Sequence, residues 1–259
     1  MNIVVLVKQV PDTWAERRLS DSDKTLDRDS VDAVINEIDE YAVEEGLRLK
    51  EAQGGTVTVL TMGPARATET IRKALSMGAD KAVHVTDDAL AGSDAIQTAE
   101  AVAAALGTVE WDLVIAGSES TDARMSVLAA LLSEKLGVPQ LSGARKVTVE
   151  GGTVTIERQR EDGYDRVQGD MPAVVSVVEK INEPRYPSFK GIMAAKSKPV
   201  TTLTVADLGL DPATVGLANA GSEVVDFSLR PPRQAGQIVK DEGDGGTKLA
   251  EFLAAQKFV

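Results

Sequence analysis

The segment AGSESTDARMSV, residues 116–127, brings small, hydroxyl and charged side chains together directly after an apolar run. A helix predicted to begin here would expose its first amides at residues 123–126. Free amides and the positive end of the helix dipole attract phosphate, and Arg124 would add a charged contact. The segment therefore predicts either a phosphate-binding turn or an ordinary strand-to-helix turn capped by Thr121 or Asp122.

A nucleotide at this segment would be held mainly by backbone groups. The sequence contains neither the glycine fingerprint of dinucleotide-binding folds nor a P-loop. The carboxylate of Asp122 would repel an anion unless it turns toward a hydroxyl or an amine.

A second segment, NEPRYPSFKGIMAAKSKP, residues 182–199, is basic although the whole chain has a net charge of -12. It carries Arg185 and three lysines beside a single carboxylate, and it includes Tyr186 and Phe189. Two interpretations are open. The aromatic side chains pin the segment to its own domain, or they form an apolar anchor ringed by cations that binds another protein.

Catalytic side chains are few, so the sequence predicts a protein that is not an enzyme by itself. The one histidine, His84, lies inside the apolar run KAVHVT and is expected to be a hydrogen-bonded core residue. Ser176 and Ser188 have no histidine partner, and cysteine is absent. No metal-ligand spacing stands out. The carboxylates of one predicted helix are expected to serve solubility: Glu37, Asp39, Glu40, Glu44 and Glu45.

Length and charge narrow the class of protein. A chain of 259 residues is long enough for one large core, or for a core with an appended lobe. The net negative charge argues against general binding to nucleic acid or to anionic membranes. The opening stretch MNIVVLVKQVPD is too short to span a membrane. We expect a cytoplasmic protein.

The elements that position these segments follow a strand-helix alternation. Apolar runs at 2–7, 56–62, 81–86 and 111–117 predict strands buried on both faces. Periodic segments at 36–52, 65–77, 93–106 and 122–136 predict the helices. This order predicts an α/β fold with a doubly wound, mostly parallel sheet.

The second half of the chain departs from this alternation. ARKVTVEGGTVTIERQ predicts an antiparallel hairpin, and MPAVVSVV predicts another buried strand, so that a hairpin lobe covers about 143–180. Together with the loop at about 182–199, this lobe belongs to a predicted domain 1–221. Residues 222–259 are expected to form an extended arm with one helix at 247–257, whose apolar face must bind something.

These residues resemble the beta subunit of electron transfer flavoprotein. IERQREDGYDRVQGDMPAVVS, residues 156–176, looks like the family's signature, with Asp165 where the family prefers Glu or Gln. INEIDEYAVEEGLRLKE, GPARATETIRKALSMGAD and NEPRYPSFKGIMAAKSKP are also similar to family segments. The resemblance spans nearly the whole chain and implies an adenine nucleotide alpha hydrolase-like fold.

The resemblance also implies a heterodimer. The alpha subunit would carry most of an FAD site and bind the C-terminal arm, and the beta subunit would bind one AMP. Thr13, in the loop PDTW, would approach the flavin. The AMP site would be formed by Leu6, Asn36, Glu37, Ile38, Asp39, Met62, Ala116, Gly117, Ser118, Glu119, Ser120, Thr121, Asp122, Ala123, Arg124, Met125, Ser126 and Val127.

In the family, the segment that matches the basic loop recognises acyl-CoA dehydrogenases, and Phe189 would be the side chain inserted into the dehydrogenase. The matching surface consists of Tyr186, Phe189, Ile192, Met193 and Lys196. The implied function is electron transfer from acyl-CoA and related dehydrogenases of fatty acid beta-oxidation to a membrane quinone reductase. Two alternatives stay open: a bifurcating flavoprotein with a second FAD in the crevice, and a non-redox nucleotide sensor akin to universal stress proteins.

Overall fold

The computed structural model describes residues 1–232, 235–236 and 238–259, which divide into two compact units, Met1–Val225 and Asp226–Val259. The strands, in chain order, are β1 (Asn2–Leu6), β2 (Gln9–Pro11), β3 (Ala33–Ile35), β4 (Thr56–Met62), β5 (Lys81–Val85), β6 (Leu113–Gly117), β7 (Gln140–Glu150), β8 (Thr153–Gln159), β9 (Tyr164–Asp170), β10 (Ala173–Val177) and β11 (Val200–Leu203). The helices are α1 (Glu37–Gln53), α2 (Thr68–Met77), α3 (Ala95–Leu106), α4 (Leu128–Leu136), α5 (Phe189–Ala195) and α6 (Gly245–Ala255).

The first unit is built on a sheet in the order β11-β5-β4-β1-β6-β10-β7-β8-β9. The strands from β11 to β7 are parallel, and β8 and β9 are antiparallel to their neighbours. The predicted doubly wound, mostly parallel α/β fold is therefore confirmed. The predicted hairpin is also present, and its turn places Gly151 and Gly152 at φ 58° and 87°, a conformation that favours glycine.

Apolar side chains cover both faces of the sheet. Along β1, Ile3 and Val5 point to the core under α1 and α2, whereas Val4 and Leu6 point to the core under α3 and α4. Burial on both faces explains why the sequence of this strand is an unbroken apolar run. His84, in β5, is 3% exposed and its Nε2 lies 3.1 Å from the carbonyl oxygen of Gly63. Burial lowers the pKa of His84, and the expectation of a hydrogen-bonded core histidine is confirmed.

Two of the four predicted helices, α1 and α3, begin within two residues of the expected position, and α2 begins three residues after it. The fourth helix, α4, begins at Leu128, six residues after the predicted start. Arg124 and Ser126 have φ angles of 50° and 55° in the left-handed region, which interrupts a helix. The predicted apolar stripe of that helix is also shorter, because Met125 lies before it and is 58% exposed.

The expectation that the carboxylates of α1 serve solubility is wrong for Asp39, Glu44 and Glu45. Each of these residues is 6% exposed. All three accept hydrogen bonds, Asp39 from the amide of Lys8 and the two glutamates from the segment that follows β10. A helical period alone does not distinguish a solvated carboxylate from a buried one that has a partner.

Several short elements were not predicted. β2 and β3 form a separate two-stranded ribbon around the excursion 12–32. β9 adds a third antiparallel strand to the hairpin lobe, and β11 forms the opposite sheet edge. The basic segment contains α5, a helix of seven residues whose first turn is capped by the Ser188 hydroxyl, which accepts from the Gly191 amide at 3.0 Å.

The second unit contains α6, close to the predicted 247–257. Its side chains Leu249 and Phe252 are 58% and 51% exposed. Within the described residues, no helix has both the length and the apolar character needed to cross a membrane.

A candidate nucleotide crevice and a candidate docking segment

The crevice lies where the strand order reverses. From β1 the chain adds β4 and β5 on one side, and then returns to add β6 on the other side. Ligands of open α/β sheets bind at such a switch point, outside the carboxyl ends of the strands. Parallel pairing of β1 with β4 and β6 brings Leu6, Met62 and Gly117, which end these strands, to the same edge.

Asn36 joins the two loops that flank this edge. Its side chain is buried, its Nδ2 donates to the Glu119 carbonyl oxygen at 2.9 Å, and its Oδ1 accepts from the Thr121 amide at 3.0 Å. Its own amide donates to the carbonyl oxygen of Lys8 at 2.8 Å. Although Asn36 occupies the N-cap position of α1, its side chain does not cap the helix. It fixes the backbone of the loop after β6 instead.

Asp39, in the first turn of α1, connects the ends of β1 and β6. Its carboxylate accepts a hydrogen bond from the Lys8 amide at 2.8 Å and lies against Gly117. Burial raises the pKa of Asp39 to about 7, although hydrogen bonding to the carboxylate opposes the shift. A Cβ at position 117 would lie 2.4 Å from Asp39 Oδ1, so the close approach requires glycine.

The carboxylate of Asp122 points toward two cations. This orientation is the one that an anion bound nearby would need, because a free carboxylate would repel it. The side chain of Asp122 is 1% exposed and lies 2.8 Å from Lys8 Nζ and 2.8 Å from Arg28 Nη2. Burial would raise the pKa of Asp122, but the charges and hydrogen bonds of Lys8, Ser120 and Arg28 lower it to about 2. Its negative charge is therefore neutralised within the fold.

The excursion 12–32 contributes contacts that sequence reasoning missed. Arg17 donates through Nη1 to the Thr121 carbonyl oxygen at 2.6 Å, and Arg28 pairs with Asp122. These arginines lie about a hundred residues from the loop they bind, in a segment with no periodic pattern. No sequence signal could have linked them to the crevice.

Beyond Asp122 the loop differs from the expected helix start. Residues 123–126 are exposed and their amides are not the first amides of α4. The Arg124 amide donates to the Ser120 carbonyl oxygen at 2.9 Å, and the Ser126 hydroxyl donates to Glu119 Oε2 at 3.1 Å. Val127 occupies the N-cap position of α4.

The structure thus brings most of the predicted AMP-site residues to one edge of the sheet. Leu6, Asn36, Asp39, Ala116 and Thr121 are buried there. The remaining members are more exposed as whole residues, although the side chain of Asp122 is buried: Glu37, Ile38, Met62, Gly117, Ser118, Glu119, Ser120, Asp122, Ala123, Arg124, Met125, Ser126 and Val127.

Two orphaned polar atoms bear on whether these residues fit an adenylate. Arg17 Nε and Thr121 Oγ1 are buried and have no hydrogen-bond partner among the described residues. A buried donor without a partner costs free energy, which a polar ligand can recover. Three cations, Lys8, Arg17 and Arg28, also outnumber the two buried carboxylates of the crevice, Asp39 and Asp122. This donor set fits a phosphorylated ligand.

Thr13 lies apart from this network. It is exposed beside Trp14, which is 96% exposed, on an open cavity of about 610 Å³ whose lining also includes Glu37 and Lys73.

The basic segment presents its apolar side chains to solvent. Tyr186 is 94% exposed, Phe189 81%, Ile192 47% and Met193 50%, and Lys196 is also exposed. The aromatic side chains therefore do not pin the segment to its own domain.

Two of the four basic residues of this segment anchor its ends instead. Arg185 binds Glu44 and Glu51 of α1, and Lys198 Nζ donates to the carbonyl oxygens of Leu75 and Ala79 at 2.9 and 2.5 Å. Lys190 and Lys196 remain exposed. The segment is thus a fixed surface with an apolar centre and two exposed lysines.

The sheet order defines a doubly wound α/β protein with a candidate ligand site at its switch point and an added antiparallel lobe. Comparison with known families gives a narrower class: residues 23–208 match the electron transfer flavoprotein domain. The chain belongs to the electron transfer flavoprotein family, as a beta subunit.

Similar proteins cover the chain almost completely. The electron transfer flavoprotein subunit beta of Mycobacterium leprae is 58% identical, over 100% of this chain and 99% of its own length. The subunit of the same name from Thermoanaerobacterium thermosaccharolyticum is 41% identical over 92% of both chains. The caffeyl-CoA reductase-Etf complex subunit CarD of Acetobacterium woodii is 36% identical, over 91% of this chain and 90% of its own.

Proposed function

We propose that the chain is the beta subunit of a cytoplasmic heterodimer that binds AMP in the switch-point crevice and completes an FAD site built mainly by the alpha subunit. The heterodimer accepts electrons from acyl-CoA and related dehydrogenases and passes them to a membrane quinone reductase. The chain itself catalyses no reaction. The observation that carries this proposal is the anchored basic segment with its exposed apolar centre.

The docking surface is formed by Tyr186, Phe189, Ile192, Met193 and Lys196. Burying one large apolar side chain on association contributes about 1.5–3 kcal/mol before the costs of association are subtracted. Phe189 is the proposed anchor, since it is 81% exposed, has no polar group to desolvate on burial, and lies at the position that the family resemblance gives to the inserted side chain. The exposed lysines favour an acidic partner and act mainly on the rate of encounter.

The partner in this proposal is an enzyme that acts on CoA thioesters. One relative carries a name that links it to a caffeyl-CoA reductase, which supports this substrate class for the partner. The resemblance of the basic segment to the family's recognition loop is the second support.

The crevice contributes binding and not chemistry. Asn36 and Asp39 fix the two loops, Asp122 is neutralised by Lys8 and Arg28, and backbone groups and the orphaned Thr121 hydroxyl are left for the nucleotide. The flavin, when bound, supplies the electron chemistry. Thr13, next to the exposed Trp14, is the proposed contact with it.

Cofactor stoichiometry tests the proposal. The chain is co-expressed with the alpha subunit, the heterodimer is denatured, and released nucleotides are quantified by chromatography. One FAD and one AMP per heterodimer is the expected result. Two FAD and no AMP would identify the bifurcating alternative, and a colourless chain that retains only adenine nucleotide would identify the nucleotide sensor.

Replacement of Phe189 tests docking. Phe189→Ala is expected to slow flavin reduction by an acyl-CoA dehydrogenase at limiting heterodimer concentration roughly tenfold, in keeping with the loss of about 1.4 kcal/mol. FAD content should be unchanged. Tyr164→Ala, on β9, is the aromatic control. Equal rates for the two variants would exclude the proposed anchor.

A further inference from the structure

The basic segment is held at its two ends by hydrogen bonds, and its large apolar side chains contribute little because they are exposed. Between Tyr186 and Lys196 the one side chain of the segment that is buried is Ala195, which is 3% exposed. An exposed apolar segment of this kind would be poorly ordered if burial alone had to hold it. The hydrogen bonds at its two ends therefore decide its position.

The first clamp joins Arg185 to α1. Glu44 is 6% exposed, and its Oε2 accepts from Arg185 Nε at 2.7 Å and from the Arg185 amide at 3.2 Å, while its Oε1 accepts from Nη2 at 3.0 Å. Glu51, two turns further along α1, accepts from Nη1 at 2.5 Å. The planar guanidinium donates paired hydrogen bonds to both carboxylates at once, a geometry that the single ammonium group of a lysine cannot reproduce.

The same stretch is fixed again three residues earlier. Asn182 Nδ2 donates to the Tyr41 carbonyl oxygen and to Glu45 Oε2, both at 3.1 Å. Burial raises the pKa of Glu45. Two buried glutamates of α1, Glu44 and Glu45, thus hold the entrance to the segment.

The second clamp joins the end of the segment to α2. Lys198 donates to carbonyl oxygens at the end of α2, and Arg72 Nη1 donates to the Ala195 carbonyl oxygen at 2.5 Å. Gly191 of α5 lies so close to α2 that a Cβ there would be 2.4 Å from the Ser76 carbonyl oxygen. The segment is fixed at both ends, with Phe189 between them.

We infer that Arg185 is a positioning residue for partner docking, which acts by holding Phe189 in its exposed place through Glu44. This inference rests on the proposed docking function. A segment that is already ordered loses less conformational entropy on binding, so a firm clamp strengthens docking without touching the partner. The cationic character of Arg185 is therefore used inside the chain and not for attraction of the partner.

Arg185→Lys tests the inference, because it keeps the charge and removes the fork. In the co-expressed heterodimer we expect amide hydrogen exchange across residues 183–196 to accelerate. The KM for the heterodimer in reduction by an acyl-CoA dehydrogenase should rise roughly tenfold, as for a loss of preorganisation, with kcat unchanged. Glu44→Gln should act in the same direction, and the control is Arg166→Lys on the exposed edge strand β9.

The outcomes separate this inference from the proposed function. If Phe189→Ala slows reduction but Arg185→Lys alters neither exchange nor KM, positioning by Arg185 is wrong and docking stands. Faster exchange with an unchanged KM also overturns it. If Phe189→Ala itself has no effect, the proposed docking function is wrong, and the positioning role of Arg185 is wrong with it. A fall in kcat together with loss of flavin would show that Arg185 serves general integrity and would likewise overturn positioning.

Discussion

The ammonium group of Lys8, two residues beyond the end of β1, lies 2.8 Å from Oδ1 of Asp122, five residues beyond the end of β6. The second carboxylate oxygen of Asp122 lies 2.8 Å from Arg28 Nη2. One buried carboxylate thus connects three segments that are far apart in sequence, at the edge of the sheet where the crevice opens. Replacement of Asp122 should therefore alter the structure of the crevice more than the packing of the core.

Asp122→Asn is expected to lower the free energy of unfolding by about 1–3 kcal/mol, because it leaves Lys8 and Arg28 without a counter-charge. This loss is smaller than for a fully buried pair, since the side chains of the two cations are about one third exposed. AMP content of the purified heterodimer should fall as well. Urea denaturation and nucleotide quantification measure the two effects, with Asp162→Asn as the exposed control; full AMP retention would contradict the proposed role.

The decrease in the free energy of unfolding at acid pH should depend on Asp122. Its pKa is about 2 in the folded chain, against an ordinary value of 3.8. A lowered pKa means that the stabilisation is present above about pH 4 and is lost as the pH falls toward 2. Asp122→Asn should therefore lose less stability than the wild type between pH 4 and pH 2, as measured by chemical denaturation. If the stability of the two proteins falls equally between pH 4 and pH 2, the pKa of Asp122 is not lowered in the folded chain.

Asp39 should produce the opposite dependence at neutral pH. Its pKa is raised to about 7, so the folded chain holds a proton that the unfolded chain releases near pH 4. Its contribution is greatest below about pH 4 and is lost as the pH rises through 7. Between pH 5 and pH 8.5 the wild type should lose about 2–3 kcal/mol relative to Asp39→Asn. Denaturant titrations at the two pH values measure this difference, and an equal response would mean that Asp39 is ionised at pH 5.

Gly117→Ala should destabilise the crevice edge, because the added Cβ would lie 2.4 Å from Asp39 Oδ1 and 3.1 Å from the carbonyl carbon of Ile38. Overpacking of this kind costs about 1–3 kcal/mol. The expected result is a lower unfolding midpoint and reduced AMP content. Gly163→Ala is the control, since no atom lies within 4 Å of a Cβ there.

Removal of residues 226–259 tests the proposed arm. The remaining unit, Met1–Val225, contains the complete sheet and both cores, so it should stay folded. We expect the alpha subunit and its flavin to be released in size-exclusion chromatography, because the exposed apolar side chains of α6 would be lost with the arm. A yellow heterodimer that stays intact after the deletion would rule out this role.

The sequence by itself determined the sheet and the hairpin. Unbroken apolar runs such as NIVVLV occur where a strand is covered on both faces, and the pair Gly151 and Gly152 suits a tight turn, so both could be predicted from local pattern. The relation to the electron transfer flavoprotein family was likewise evident from contiguous motifs and is confirmed by the comparisons.

Only the tertiary structure decided which charged residues are buried and what they bind. The sequence predicts that Glu44 and Glu45 are solvated helix positions. In the structure they accept hydrogen bonds from Arg185 and Asn182, which lie some 140 residues away in the sequence. Likewise, Arg124 and Ser126 have left-handed backbone angles, so the helix does not begin at residue 122 as expected. Periodicity records only which face of an element is apolar, whereas the pairing of buried charges depends on contacts between distant segments, which exist only once the chain has folded.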